Sequence, residues 1–409
     1  MLYKAKNLGF VTMSEIQEGE EHIEKSLKIL FVITQGVWGG SQRYVLDMAK
    51  ELSKKHSVTV AIGEIHGSKD LQNQLASLKD TINVIQLKHL QRSISPIHDT
   101  LALFELQHLY KKIQPDIIHL NSTKAGLLGS LCAHIQKKFR RTNQSSFPKV
   151  IYTVHGWIFL EPLPKFSKKL FTSLEQKTAH LKDAFIVLSE EEKKIGQQIL
   201  HIDDSKIKTI PLGISLPPIV LTKNEARSKI QSMVKTEIKH SEWIGTIAGL
   251  YKTKGLDIFI KSIAKNHTLQ NKHYFILGEG PERKHLTNLI KLHHLENIIH
   301  LLGHIENASL LLPAFDLFVL PSRKEGLPYA LLEAMNYELP IIATRVGGVS
   351  SLLQKYEAAT VISPENEDEL MKALATYKSL PKPPSSTEFS LESMTISSEQ
   401  LYYSVSLQQ

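Results

Sequence analysis

The chain has 409 residues, 42% of them hydrophobic and 22% charged, with a formal net charge of +8. That profile belongs to an ordinary globular protein, and the length exceeds what one hydrophobic core organises, so about two domains are expected. A single cysteine, Cys132, excludes an intrachain disulfide and a cysteine metal cluster, and no stretch approaches the roughly 18 continuous apolar residues of a membrane span.

Residues 1–26 read as an N-terminal extension. It carries Glu15, Glu18, Glu20, Glu21 and Glu24 and lacks the apolar core of a secretory signal, so a reducing, cytoplasmic setting is expected. From there to residue 215, short apolar runs alternate with amphipathic stretches. Leu27–Ile33, Val58–Ile62, Ile117–Leu120, Val150–Val154 and Phe185–Leu188 predict buried parallel strands. Ser41–Leu52 and Ala125–Ile135 predict helices between them. The pattern weakens over 216–240, where Pro217 and Pro218 follow Pro211, and this region is expected to be the linker. It restarts over 241–380 with strands at Ile244–Ala248, Tyr274–Leu277, Ile298–Leu301, Leu317–Leu320 and Ile341–Ala343. Helices are expected at Pro281–Leu292, Pro328–Asn336 and Asn366–Leu380. Residues 381–409 hold a Pro/Ser-rich loop, then a last helix over Phe389–Tyr403. Strand–helix alternation of this kind gives doubly wound parallel sheets, whose ligands bind outside the carboxyl ends of the strands.

The chemistry-bearing residues sit in such post-strand loops. Gly39 and Gly40 end the loop after the first strand, and Ser41 begins a helix whose N-terminus is a ready anion site; the same residues would also make a plain tight turn. Lys254-Gly255 follows the first strand of the second half. There a lysine can meet a diphosphate as a point charge, although Lys-Gly pairs are common in surface loops. Glu325-Gly326-Leu327-Pro328 precedes a helix carrying Glu333. Two carboxylates so spaced can accept paired hydrogen bonds from vicinal hydroxyls, one set on a sugar and one on a ribose. An acidic helix start plus a surface glutamate would look alike. His155 ends the apolar strand Val150–Val154, a position that suits either a cleft or a satisfied structural histidine. His119 ends a similar run, with Lys124 beyond it, and both are candidates for the acceptor side.

The sequence offers no His-x-x-x-His pair with a third ligand and no D-x-D loop, so no metal site is expected. G-x-S-x-G and Walker loops are absent too, against serine hydrolase and P-loop readings. The positive charge favours anionic partners. One basic cluster runs through Lys137, Lys138, Arg140, Arg141 and Lys149. Another comprises Lys165, Lys168 and Lys169 beside Trp157, Phe159 and Phe166. Either is a solvated face or a shallow contact with an anionic membrane. No aromatic-basic recognition motif accompanies the charge, so nucleic acid is not an expected partner.

Taken in order, these pieces resemble glycosyltransferase family 4, the retaining glycosyl transferases group 1, over about Leu27 to Leu380. The resemblance rests on the glycine loop before Tyr44-Val45-Leu46-x-x-Ala49, on Asp116-Ile117-Ile118-His119, and on the Thr153-Val154-His155-Gly156-Trp157 run. It continues through Gly278-Glu279-Gly280-Pro281, Leu302-Gly303-His304, Phe315 to Ser322, and the E-x7-E element of Glu325 and Glu333. It implies the GT-B fold, two Rossmann-like doubly wound domains facing a central cleft. The first would hold the acceptor and the second the donor. It further implies a metal-independent transfer, with retention, from a nucleotide-sugar to a glycan or lipid-linked glycan of a cell-surface polysaccharide. UDP-sugars are the first expectation and GDP-sugars the second. Gly39 and Gly40 would lie near the donor phosphates and the acceptor, and His155 near the reaction centre. Lys254 would neutralise the diphosphate. Glu325, with amides near Gly326, Leu327 and Pro328, would hold the sugar, and Glu333 the ribose.

Two positions depart from the family pattern. Gly249 stands where the family often has an arginine, five residues before the lysine, which leaves Lys252 or Arg323 to replace it. Pro211-Leu212-Gly213 stands where Pro-Asn-Gly is common. A GT-B nucleotide-sugar epimerase, and a non-catalytic binding protein with a degenerate donor site, are the alternative readings.

Overall fold

The computed structural model describes residues 25–34, 36, 38–65, 69–139, 147–161, 163–215, 220–234, 237–238, 241–381 and 389–407. Most of the N-terminal extension, Pro217, Pro218, Arg140, Arg141 and the Pro/Ser-rich segment after Pro381 lie outside them.

The apolar runs become the centres of two sheets. In chain order the first half forms β1 (Lys28–Ile33), α1 (Gly40–Leu52), β2 (Ser57–Ile62), α2 (Lys69–Leu78), β3 (Asn83–Gln86), α3 (Pro96–Ile113), β4 (Ile117–Leu120), α4 (Thr123–Phe139), β5 (Lys149–Val154), α5 (Lys165–Ala179), β6 (Ala184–Val187), α6 (Glu190–Leu200) and β7 (Ile207–Thr209). The strands form one seven-stranded sheet in the order β3-β2-β1-β4-β5-β6-β7, and every pairing is parallel. The order reverses between β1 and β4, so the crevice of the sheet opens at the carboxyl ends of those two strands.

The second half forms α7 (Lys223–Gln231), β8 (Trp243–Ile247), α8 (Leu256–Ala264), β9 (His273–Leu277), α9 (Arg283–Leu292), β10 (Ile299–Gly303), β11 (Leu317–Leu320), α10 (Tyr329–Asn336), β12 (Ile341–Thr344), α11 (Val349–Leu353), β13 (Ala359–Ile362) and α12 (Glu367–Thr376), followed by α13 (Leu391–Leu407). Its sheet has six strands in the order β10-β9-β8-β11-β12-β13, again all parallel. Here the order reverses between β8 and β11. The loops after β1, β8 and β11 carry Gly39-Gly40, Lys254 and Glu325, and the end of β5 carries His155.

Three strands have no counterpart in the sequence reading: β3, β7 and β13. Each is an edge strand of three or four paired residues with half-exposed positions, so none shows a continuous apolar run. The linker region also holds more structure than its prolines suggest. Thr222 and Glu225 form a reciprocal capping box that starts α7. The helix then buries Ala226 and Ile230 and packs on the 3-10 turn Ala308–Ala314 of the second sheet's domain. Arg227 fastens it with hydrogen bonds to the Ala314 carbonyl at 2.9 Å and Asp316 at 2.7 Å.

The last helix returns to the first domain. Ile214 and Ser390 form a parallel bridge, and α13 packs on α1. Its Tyr402 Oη shares a 2.7 Å hydrogen bond with His119 Nδ1, while His119 Nε2 shares one of 2.6 Å with Thr153 Oγ1. Glu399 reaches His56 Nε2 at 2.9 Å. His119 is therefore 0% exposed, and burial pushes its pKa down to about 3. This corrects its expected place on the acceptor side: it is a core residue that ties the C-terminal helix to the first sheet.

A ring held neutral in the folded chain is protonated in the unfolded chain below its ordinary pKa of about 6.5. The unfolded state then binds more protons, so this contribution to stability falls as the pH drops from about 6.5 towards 3. His119→Gln should lose less stability than the wild type between pH 6.5 and pH 5, by about 2 kcal/mol, as read from urea denaturation at both pH values. Equal losses in the two proteins would contradict neutral burial.

Candidate active site

The loop after β8 and the loop after β11 lie against each other. Gly255 has φ +63, and a Cβ there would stand 2.0 Å from the Pro321 carbonyl oxygen, so only glycine permits the contact. Gly347, at φ +50, makes a similar approach to the Glu325 carbonyl oxygen, 2.0 Å from where its Cβ would be. These close approaches bring Lys254 to Glu325. Lys254 Nζ donates to both carboxylate oxygens, at 2.7 and 2.8 Å, and Ser322 Oγ donates to Oε1 at 2.6 Å. The Glu325 side chain is 6% exposed, so the lysine supplies the countercharge that its burial requires.

Gly326 follows, with its Cβ position 3.6 Å from the His155 carbonyl oxygen. The strand end that carries His155 thus touches the loop that carries Glu325. Asn121 Nδ2 donates to the His119 carbonyl at 3.0 Å, which aims Oδ1 at His155 Nε2, 3.4 Å away. The ring also meets Tyr44 edge-on, with centroids 4.9 Å apart. Burial lowers the His155 pKa to about 4, so the imidazole is neutral at pH 7 and carries its proton on the nitrogen facing Asn121.

Pro328 caps α10, one position earlier than the first helical residue, and Leu327 is buried beneath it. Gly40 faces this helix start: a Cβ on it would lie 3.6 Å from the Tyr329 ring, an ordinary contact. Gly39 is extended, at φ −171, a backbone that any residue adopts. A Cβ on Gly39 would meet the Gln42 Oε1 at 3.1 Å, so the fold tolerates little at that position and leaves ordinary space at Gly40; both glycines leave room for a ligand to approach the backbone closely. Glu333 accepts a 2.6 Å hydrogen bond from Arg43 Nη1 of α1. Lys324–Glu161 and Ser351–Glu191 contacts also cross the cleft.

The predicted residues His155, Gly39, Gly40, Lys254, Glu325, Gly326, Leu327, Pro328 and Glu333 thus meet around one cleft. Lys124 is at the cleft end of the first sheet but is held by Asp99 Oδ1 at 2.5 Å. Arg323 is fully engaged with Asp257, at 2.7 and 2.8 Å, and Glu365, at 2.8 Å. It is therefore a brace of the loop and no substitute for the missing arginine, whereas Lys252 is exposed. At Gly249 a Cβ would come 2.9 Å from the Tyr251 ring, so Tyr251 covers the face from which an arginine would extend. Sequence reasoning missed Arg43 and Glu192. Glu192 accepts from the Leu188 amide at 3.0 Å and lies 3.8 Å from the Gly326 Cβ position, and burial raises its pKa to about 7. The Ser189-x-x-Glu192 spacing was a legible signal for its capping role.

Two parallel-sheet domains that join their strand ends over such a cleft make the GT-B fold. The crystal structure of Anabaena Alr3699/HepE in complex with UDP and glucose has the same fold, with a TM-score of 0.72 at 18% identity over 92% of this chain and 100% of that chain. Residues 38–216 match the family described as Glycosyltransferase Family 4, and residues 228–389 match Glycosyl transferases group 1. An Escherichia coli UDP-Gal:alpha-D-GlcNAc-diphosphoundecaprenol alpha-1,3-galactosyltransferase is 30% identical over 270 residues, covering 63% of this chain and 65% of that protein's length. The Escherichia coli O-antigen biosynthesis glycosyltransferase WclY is 24% identical over 323 residues, covering 78% of this chain and 80% of its own. The chain belongs to glycosyltransferase family 4.

Removing one member of a shielded ion pair leaves the other without compensation. Lys254→Met should destabilise the protein by about 2 kcal/mol, and adding Glu325→Gln should restore part of that loss, as measured by urea denaturation of the single and double variants. Additive losses would mean that the two side chains do not depend on each other.

Proposed function

We propose that this glycosyltransferase moves a sugar, with retention and without a metal ion, from a UDP-sugar to a lipid-linked glycan of a cell-surface polysaccharide. The observation that carries the proposal is the direct contact of Lys254 with Glu325 beside His155, with Glu333 in the second turn of α10. In the proposed reaction Lys254 turns from Glu325 to the diphosphate and takes up the charge that develops there. Glu325 is then released to accept hydrogen bonds from the sugar hydroxyls, and Glu333 accepts those of the ribose. The bond between the anomeric carbon and the diphosphate oxygen breaks, and its electron pair leaves with the diphosphate. The acceptor hydroxyl adds to the same face, and its proton passes to the departing phosphate oxygen. Neutral His155 orients the sugar, so the chemistry needs chiefly positioning and leaving-group stabilisation. The galactosyltransferase relative, with its UDP-galactose donor and diphosphoundecaprenol-linked acceptor, supports the choice of UDP and of a lipid-linked acceptor.

A lipid-linked acceptor brings the reaction to a bilayer, and we assign that contact to α3, α4 and α5. The aromatic residues first considered for it are corrected here: Trp157 is 1% and Phe159 6% exposed, stacked on each other, with Trp157 Nε1 donating to the Glu192 carbonyl. The exposed apolar residues lie nearby. Ile97, Leu101 and Phe104 share one face of α3, Phe139 ends α4, and Phe166 and Leu170 lie on α5 beside Lys165, Lys168 and Lys169. Helix α4 packs against both α3 and α5. Apolar side chains among lysines suit the headgroup region of an anionic membrane. Among the described residues no helix is long and apolar enough to cross it.

A ligand that binds only the folded state raises its melting temperature. UDP should raise that of the wild type with EDTA present, and the rise should vanish in Glu333→Ala; no shift with UDP, GDP or ADP would instead favour a non-catalytic protein. Product left as an altered sugar still on its nucleotide, with no acceptor added, would favour an epimerase. Phe104→Ser with Phe166→Ser and Lys168→Glu should stop the protein floating with phosphatidylglycerol vesicles. If the unaltered protein stays behind as well, the membrane assignment fails.

A further inference from the structure

Arg43 belongs to no motif that marks the site, yet it reaches a donor-site carboxylate from the opposite domain. Its Nη1 donates to Glu333 Oε1 at 2.6 Å. Its guanidinium lies 4.4 Å from the centroid of the Tyr329 ring, and its Nε is 3.5 Å from Asp47 Oδ2, one turn along α1. Asp47 belongs to the same helix as Arg43, whereas Tyr329 and Glu333 belong to α10. The contact with α10 therefore exists only while the cleft is shut. A guanidinium is flat and forked, so an aromatic face on one side and a carboxylate at its edge fix its plane.

The hydrogen bond uses one side of the carboxylate. An ionised carboxylate has about four acceptor positions, and among the described residues Glu333 Oε2 accepts no hydrogen bond. Two vicinal hydroxyls can approach without displacing Arg43. Asp47 and Tyr329 hold the guanidinium in any case, so the arginine need not leave for a ligand to enter.

We propose that Arg43 is a positioning residue that completes the ribose subsite when the domains close. It holds Glu333 in the orientation that meets the 2′- and 3′-hydroxyls of a nucleoside diphosphate, and it does so from the other side of the cleft. In an open cleft Glu333 has no cation and no fixed rotamer, so ribose binds weakly; in a closed one the carboxylate is set beforehand. Nucleotide binding and closure then favour each other by linkage. This rests on the donor reading proposed above. The opposite role for the same contact would be a latch, with Arg43 occupying the carboxylate that the ribose needs, and the two roles differ in sign.

The test is calorimetric titration of UDP and 2′-deoxy-UDP, with GDP, ADP and their 2′-deoxy forms alongside. The proteins are the wild type, Arg43→Ala, Arg43→Lys, Glu333→Ala and the Arg43→Ala/Glu333→Ala double variant, each with its melting temperature recorded. Arg43→Ala should weaken the ribonucleotide about tenfold and the 2′-deoxynucleotide by no more than about threefold, and the double variant should bind no worse than Glu333→Ala. Lysine keeps the charge but loses the fork, so Arg43→Lys should recover the melting temperature more fully than the affinity. Small-angle scattering without nucleotide should give a larger radius of gyration for Arg43→Ala than for the wild type. Tighter binding by Arg43→Ala would establish the latch and overturn the proposal, and so would equal weakening of both nucleotides. If the wild type binds no nucleoside diphosphate, the donor reading itself is wrong and the ribose subsite falls with it. An unchanged radius of gyration would separately remove the closure role.

Discussion

All the strands of both sheets run parallel, and the organisation of the molecule follows from that constraint. A parallel strand can be joined to its neighbour only by a crossover, so each sheet is covered by helices and its central strands are buried on both faces. Every carboxyl end then emerges on the same edge. The strand order reverses between β1 and β4 in one sheet and between β8 and β11 in the other. Adjacent crossovers go to opposite faces at those points and leave a crevice. The two crevices meet, because Gly326 lies against the end of β5 and Gly40 against the start of α10. Loops that would be weak signals singly thus become one site.

Within that site, charge is arranged in pairs. Lys254 with Glu325 and Arg43 with Glu333 each join a cation to a carboxylate that little water reaches. The first pair lies within the second domain and the second pair spans the cleft. Ionised groups in such surroundings need partners. In the proposed reaction, diphosphate oxygens and ribose hydroxyls offer these side chains alternative partners of suitable chemistry.

The fold was largely legible because central parallel strands are continuous apolar runs, and Ile117–Leu120 and Leu317–Leu320 match their strands residue for residue. What failed to show was whatever depends on tertiary context. The edge strands β3, β7 and β13 have partners on one side only and lack the apolar signature. Helix α7 was hidden among prolines, although Thr222 and Glu225 stood at capping-box spacing. In the cleft, the contact of Lys254 with Glu325 was foreshadowed because both lie in loops that follow strands, and Glu333 sits on the helix after the second of these. His119 was misjudged because a strand-end histidine looks the same whether it meets a ligand or, as here, the hydroxyl of Tyr402 on a helix 283 residues away. Trp157 was misjudged similarly: two residues beyond His155 the chain turns into the core. Arg43 could not be seen, since nothing local relates it to a carboxylate on the opposite domain.

The most direct test of the account is hydrogen–deuterium exchange of the whole chain with and without UDP. The account predicts slower exchange in three segments, residues 38–44 at the start of α1, 248–256 after β8 and 321–333 after β11, with the edge strands unchanged. Protection centred elsewhere, or none at saturating UDP, would contradict a donor site at the meeting of the two crevices.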